Sequence, residues 1–274
     1  MNNDTDAINS ISHARIMEKI KSMQEREDFM LMLAHDMKNP LTIAIASIDR
    51  IRKGCLGSFT TEQAEYLQTA FDSSNEVVAM IENLVDIGKL ESGKIQTPLH
   101  PYNANELVNR VTSQFARAAK NDCIELVVDL APRTSEIMVD KNSFIRVIGN
   151  LLGNSLKFTP EGGSITVSTR RISSVDVPKH VSLPLNLQKK NGFIRVSIKD
   201  SGPGIPPEDL VRIFDRYSQL PQNTYREHSG AGLGLAYCKL AIESFHGNIW
   251  AESTPEQGSE FIILLPRSPQ SNNN

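Results

Sequence analysis

The 274-residue sequence has three cysteines, a single tryptophan and no long apolar run. Each scarcity closes off a class of protein. Cys55, Cys123 and Cys238 are odd in number, far apart and without metal-ligand spacing. They suit reduced thiols of a cytoplasmic protein and cannot make a disulfide framework. No stretch approaches the roughly 20 apolar residues of a membrane span, and the opening MNNDTDAINS is too polar for a signal peptide. The expectation is therefore a soluble chain with no membrane span. A net charge of −3 offers no clustered basic surface for nucleic acid. Residues 1–95 carry 10 basic and 15 acidic side chains, and residues 96–274 carry 19 and 17. The faintly basic second part suits an anionic ligand.

From Ala7 to Lys53 the only proline or glycine is Pro40. Met30, Leu33, Ala34, Met37, Leu41, Ala44, Ile45, Ile48 and Ile51 recur at three- and four-residue steps, the stripe of a helix with one apolar face. Pro40 removes one backbone bond from that helix and predicts a kink. His35 and Asp36 stand beside the stripe and not at its centre. The segment Gly54–Thr60 reads as a turn, with Thr60 or Thr61 capping a second helix over 62–91. Its own stripe runs through Leu67, Phe71, Ser74, Val78, Ile81 and Val85. Two long helices joined by a short turn form an antiparallel hairpin. A lone hairpin buries only one face of each helix, so two copies are expected to pair into a four-helix bundle.

Past Ser92-Gly93 the texture changes. Strands are predicted at Leu99–Asn103, Glu125–Asp129, Ile137–Asp140, Ser164–Arg170, Phe193–Asp200, Asn248–Ser253 and Glu260–Leu265. Helices are predicted at Ala104–Lys120, Lys141–Lys157, Pro207–Phe214 and Gly232–Phe245. This order fits an α+β sandwich better than a doubly wound sheet. The polar connection Arg171–Gly192, with Pro178 and Pro184, is expected to be a disordered or partner-facing excursion.

Three pieces of this half carry chemistry. Asn150, Asn154 and Lys157 fall on one helical face and can supply a metal-ligating oxygen and a phosphate contact; the same spacing also describes a solvated face. Asp200-Ser-Gly202-Pro-Gly204 ends an apolar strand, where a carboxylate can accept from an exocyclic amine while the loop passes close to a ring; it also describes an ordinary turn. Gly230-Ala-Gly232-Leu233-Gly234 opens a helix and lets backbone amides approach an anion.

In this order the pieces resemble the sequence boxes of sensor histidine kinases. His35-Asp36-Met37-Lys38-Asn39-Pro40-Leu41 resembles the phosphoacceptor box, Asn150–Lys157 the N box and Asp200–Gly204 the G1 box. Arg212–Tyr217, which contains Phe214, resembles the F box, and Gly230–Gly234 the G2 box. The resemblance spans about residues 25–265. It implies an ATP-binding α/β sandwich of the type shared with topoisomerase II and heat-shock ATPases, following the dimerising hairpin.

It further implies that His35 takes the γ-phosphoryl group of ATP, with Asp36, where the family more often has Glu, orienting its imidazole. Asn154 would hold Mg²⁺ with Asn150 beside it, Lys157 would contact phosphate and Asp200 the adenine amine. Gly202 and Gly204 would line the base pocket with Phe214 nearby. Gly230, Gly232, Leu233 and Gly234 would present the phosphate-binding backbone, and Ser218–Ser229 would form a lid. Asn150 stands where ATPase relatives carry a catalytic Glu, and an amide cannot deprotonate water, which disfavours an ATPase. Intact motifs disfavour a mere nucleotide-binding scaffold. Asn39 occupies the place from which the family activates a water for phosphatase action on a response regulator. The implied partners are a second copy and a response-regulator receiver domain; the residues ahead of His35 are too few for a sensory fold. The expected domains are an N-terminal extension over 1–24, the hairpin over 25–95, the ATP-binding domain over 96–267 and a disordered tail over 268–274.

Overall fold

The computed structural model describes residues 32–34, 36–54, 57–91, 98–132, 136–178, 181, 192–219 and 232–268. His35 and Gly230 lie outside these, as do the N-terminal extension, residues 220–229 of the expected lid and the tail beyond Ser268. The chain divides into two units, Met1–Ser92 and Gly93–Asn274.

In the first unit a helix, α1, runs over residues 36–52 without a break at Pro40. The second helix, α2, spans Thr61–Glu91. Thr60 caps it reciprocally: the Gln63 amide donates to Thr60 Oγ1 at 3.2 Å and the Thr60 amide to Gln63 Oε1 at 2.9 Å. This capping box uses two donors that the first helical turn would leave unpaired. The helices run antiparallel. Lys38 of α1 pairs with Glu82 of α2, while at the turn end Arg52 donates to Gln68 at 2.6 Å and lies over the Phe71 ring at 4.4 Å. Packing in one chain buries little of the predicted stripe. Of its residues Ala34 and Ile81 are buried, whereas Leu33 is 37% and Met37 51% exposed.

The second unit places helices on one face of a mixed sheet. Strand β1 (His100–Asn103) pairs with β3 (Glu136–Val139) as a separate antiparallel ribbon. The main sheet contains β2 (Glu125–Leu130), β4 (Ser164–Ile172), β5 (Phe193–Asp200), β6 (Asn248–Thr254) and β7 (Gly258–Pro266), in the order β2-β4-β5-β7-β6. Only β2 and β4 are parallel. Helices α3 (Ala104–Asn121) and α4 (Lys141–Phe158) begin on side-chain caps, Asn103 and Asp140. The third helix is α5 (Gly234–Ser244). Helix α4 packs against both α3 and α5. Phe144, Val147, Ile148, Leu151 and Leu152 of α4 are buried and share the core with Ile194, Val196 and Ile198 of β5. Full burial of each such side chain contributes roughly 1.5–3 kcal/mol. Because alternate residues of β5 point to the core, Asp200 falls in the same row as these apolar side chains.

Two predicted elements differ. The Pro207–Phe214 helix is a run of turns ending in a 3₁₀ turn, Arg212–Phe214. Only Ile213 and Phe214 in that run are buried, so no apolar stripe supports continued helix growth against its nucleation cost. The excursion after Arg171 is ordered at its start. Strand β4 continues to Ile172, and the Ser173 amide and hydroxyl both donate to Asp176, at 2.9 and 2.8 Å. Val177 then packs on Phe193 and Leu264, together with Ile172 and Trp250. That contact turns an expected excursion into cover for an apolar sheet face. Residues 179–180 and 182–191 of it lie outside the described residues.

Candidate functional site

Asp200 ends β5 and is 6% exposed. A carboxylate in that position needs donors, and three surround it. Oδ1 accepts from the amides of Gly202 at 3.0 Å and Ser259 at 3.2 Å, and Oδ2 accepts from the Ser155 hydroxyl at 3.3 Å. Burial pushes the Asp200 carboxyl above its ordinary value of 3.8, and these hydrogen bonds oppose the shift. Ser155 and Ser259 were not singled out by sequence reasoning. A serine among small residues carries no periodic signal, and only the fold brings both to one carboxylate.

The loop after Asp200 passes close to the turn between β6 and β7. Gly204 has φ +76, and a Cβ there would lie 2.3 Å from the Thr254 carbonyl oxygen. Gly258 has φ +92, and its Cβ would lie 1.9 Å from the Asp200 carbonyl oxygen. Both contacts exclude any side chain and both conformations favour glycine. Gly202 is buried beside Asp200.

Helix α4 links this corner to a second one. Asn150, Asn154 and Lys157 are all half-buried on it. Asn150 donates to the Gly234 carbonyl at 3.4 Å, and Gly234 opens α5. Between Ser155, which touches Asp200, and Asn150, which touches α5, the helix rises about 7.5 Å. Leu233 precedes α5 and gives its first amides no side-chain cap, unlike the caps that helix termini usually recruit. Such an end favours an anion. Gly232 lies just ahead, where its carbonyl accepts from the Tyr217 amide at 3.0 Å. Phe214 is buried in the 3₁₀ turn, which packs against α5. The Lys157 ammonium lies 5.8 Å from the Phe158 ring, at the Asp200 end of α4.

The described cysteines do not offer a nucleophile. Burial pushes the Cys238 thiol up to about 12, and it hydrogen-bonds Asn150 behind the site. The Cys123 thiol is raised by its hydrogen bond to the Glu161 carboxylate. Among the described residues no group of three His, Cys, Asp or Glu side chains could hold a metal ion. A lone amide such as Asn154 fits Mg²⁺ shared with substrate phosphates, which the ion binds without a dedicated protein cage. In the first unit Asp36 and Asn39 are exposed on α1.

Two family models match this chain. The His Kinase A (phospho-acceptor) domain covers residues 25–93, and the histidine kinase-, DNA gyrase B-, and HSP90-like ATPase covers residues 139–269. The chain thus belongs to the sensor histidine kinases and carries an ATP-binding domain of the type shared with those ATPases. It is 26% identical over 241 residues to the circadian input-output histidine kinase CikA of Synechococcus elongatus, covering 87% of this chain and 30% of that protein. It is 24% identical over 251 residues to the sensor histidine kinase WalK of Bacillus subtilis, covering 92% of this chain and 38% of that protein. The crystal structure of full-length ShkA in complex with AMPPNP shares the fold at a TM-score of 0.64 and 22% identity, over 88% of this chain and 46% of that one. The chain therefore spans less than two fifths of the length of these two curated relatives. Among the described residues no helix is long and apolar enough to cross a membrane.

The burial of Asp200 sets a pH dependence. Its ionised form costs the folded state, so its contribution to stability is full at low pH and declines as pH rises through the elevated value. The ionised carboxylate is the stronger acceptor for an amine, so if Asp200 receives the base of ATP, affinity should fall on acidification at a pH above 3.8. Asp200→Asn should keep or raise the melting temperature at pH 7 while abolishing ATP binding. Calorimetric titration and thermal unfolding measure both, and a variant that binds ATP like the wild type would overturn the assignment.

Proposed function

We propose that the chain is the kinase core of a two-component sensor, which phosphorylates His35 from ATP and passes the phosphoryl group to an aspartate of a response regulator. The observation that carries this reading is the span of α4 between two corners of one site. At one end is a buried carboxylate suited to an adenine amine, and at the other an uncapped helix start suited to phosphate. The hairpin on the same chain supplies the acceptor. Domain limits of 25–95 and 96–267 are proposed with it; the phospho-acceptor model spans 25–93, the ATPase model 139–269, and the chain divides after Ser92.

Asp200 accepts from the base, while Gly202 and Gly204 leave room for the loop to lie against the ring. Asn150 and Gly234, with Gly230, Gly232 and Leu233, frame the phosphates, and Lys157 is assigned to reach toward them with its long side chain from the Asp200 end of α4. Asn154 is the proposed protein ligand of Mg²⁺, which neutralises phosphate charge when bound. Phosphoryl transfer depends mainly on positioning and charge. One imidazole nitrogen of His35 forms the new bond to the γ-phosphorus, and the bond from phosphorus to the bridging oxygen breaks, releasing ADP. Asp36 accepts from the other ring nitrogen and so orients the ring. With an amide at position 150 the site lacks a base for water, which favours transfer over hydrolysis. These roles place the chain in the cytoplasm, where ATP and regulator are available.

Incubation with γ-labelled ATP and Mg²⁺ should give acid-labile, alkali-stable label that disappears in His35→Ala. Absence of label from the wild type would leave a nucleotide-binding scaffold, and release of free phosphate alone would indicate an ATPase.

Asn39 lies one turn beyond position 35 and is exposed on α1, open to a docked regulator. It is proposed to orient the water that dephosphorylates that regulator. Asn39→Ala should lower phosphatase activity and spare autophosphorylation; loss of both, or of neither, would refute the role.

The half-exposed stripes of α1 and α2 are proposed to meet those of a second copy in a four-helix bundle. Sedimentation equilibrium at micromolar concentration should give a dimer, and a monomer would overturn this.

A further inference from the structure

The turn between β6 and β7 is tied to the loop after Asp200 through one side chain. The Ser253 hydroxyl accepts from the Ile205 amide at 2.8 Å and donates to the Gly258 carbonyl at 2.7 Å. It also lies 3.0 Å from the Ser259 hydroxyl. A serine has one proton to donate. With that proton on Gly258, Ser259 must be the donor toward Ser253. Ser253 therefore fixes the direction of the Ser259 hydroxyl as well as the position of the loop. Ser259 is the residue whose amide donates to Asp200 Oδ1. The Glu256 amide adds a backbone tie to the Pro203 carbonyl at 2.7 Å. That bond sits at the opposite end of the turn and would survive loss of the Ser253 side chain.

We propose that Ser253 is a positioning residue for the base end of the nucleotide site, setting how well adenine is discriminated from other bases. The inference rests on the proposed role of Asp200. Discrimination depends on the distance between the Asp200 acceptor and the wall formed by Gly202–Ile205, and Ser253 bridges the two supports of that wall. Gly204 and Gly258 allow the close approach, but a glycine contact resists compression without holding the surfaces together. The hydroxyl supplies the side-chain tie, beside the backbone bond from Glu256 to Pro203. The phosphate end, at Asn150 and α5, makes no contact with Ser253 among the described hydrogen bonds. A change at Ser253 thus acts on the base and leaves the triphosphate contribution in place.

The test uses the full chain and measures dissociation constants for ATP and GTP alongside the melting temperature, in wild type, Ser253→Ala, Ser253→Thr and Asp200→Asn. Ser253→Ala should weaken ATP by about tenfold, the usual effect of one lost hydrogen bond, with GTP unchanged, so that the ATP-to-GTP preference drops by the same factor. Ser253→Thr keeps the hydroxyl and should restore the preference. Equal weakening of both nucleotides with a lowered melting temperature would assign Ser253 a structural role and overturn the proposal. An unchanged preference in Ser253→Ala would also overturn it, provided Asp200→Asn has lost ATP. If Asp200→Asn binds ATP normally, the underlying site reading fails instead.

Discussion

The second unit depends on keeping one carboxylate out of water. Asp200 stands in the row of β5 that otherwise feeds the core with isoleucine and valine, and an unpaired charge there would destabilise the fold by several kcal/mol. The structure answers with donors from three separate segments: the loop that follows, the start of β7 and the last turn of α4. Each donor also fixes the segment it belongs to. The group best suited to recognising a base is thus also the point where sheet, helix and turn are joined. The cost of burying it is offset by contacts that preorganise a site.

From that joint the remaining geometry follows along α4. A helix is a stiff ruler, and its contacts at Ser155 and Asn150 fix the interval between the two ends of the cleft. The apolar side of α4 sets how deeply the helix sits, through residues such as Phe144 and Leu151 that are wholly buried. Packing decides the position of the helix, and the polar row on its other side inherits that position.

Much of this was legible in the sequence, and the failures share a cause. The helix predicted at Lys141–Lys157 is α4, and the strands predicted at Ser164–Arg170 and Phe193–Asp200 are β4 and β5. The glycines at 202, 204 and 232 marked close approaches, while Gly258, with the tightest of all, was missed. The segment 207–214 misled because only its last two apolar residues, Ile213 and Phe214, are buried, too few to support a helical stripe. The start of the 171–192 connection misled because its polarity concealed Val177, whose partners Phe193 and Leu264 come from other strands. Ser155, Ser253 and Ser259 gave no signal for the same reason. Their importance lies in what they touch across gaps of 45, 48 and 59 residues, and local pattern does not record such contacts.

The bare start of α5 has a thermodynamic side. An anion seated at this uncapped start binds the folded chain but has nothing comparable to hold in the unfolded one. Mass action then adds to stability as ligand accumulates, by about 2.7 kcal/mol at a hundred times the dissociation constant. For this unit the heat it withstands becomes a function of how much nucleotide surrounds it. A cell short of ATP would hold a kinase core that is idle and also easier to unfold.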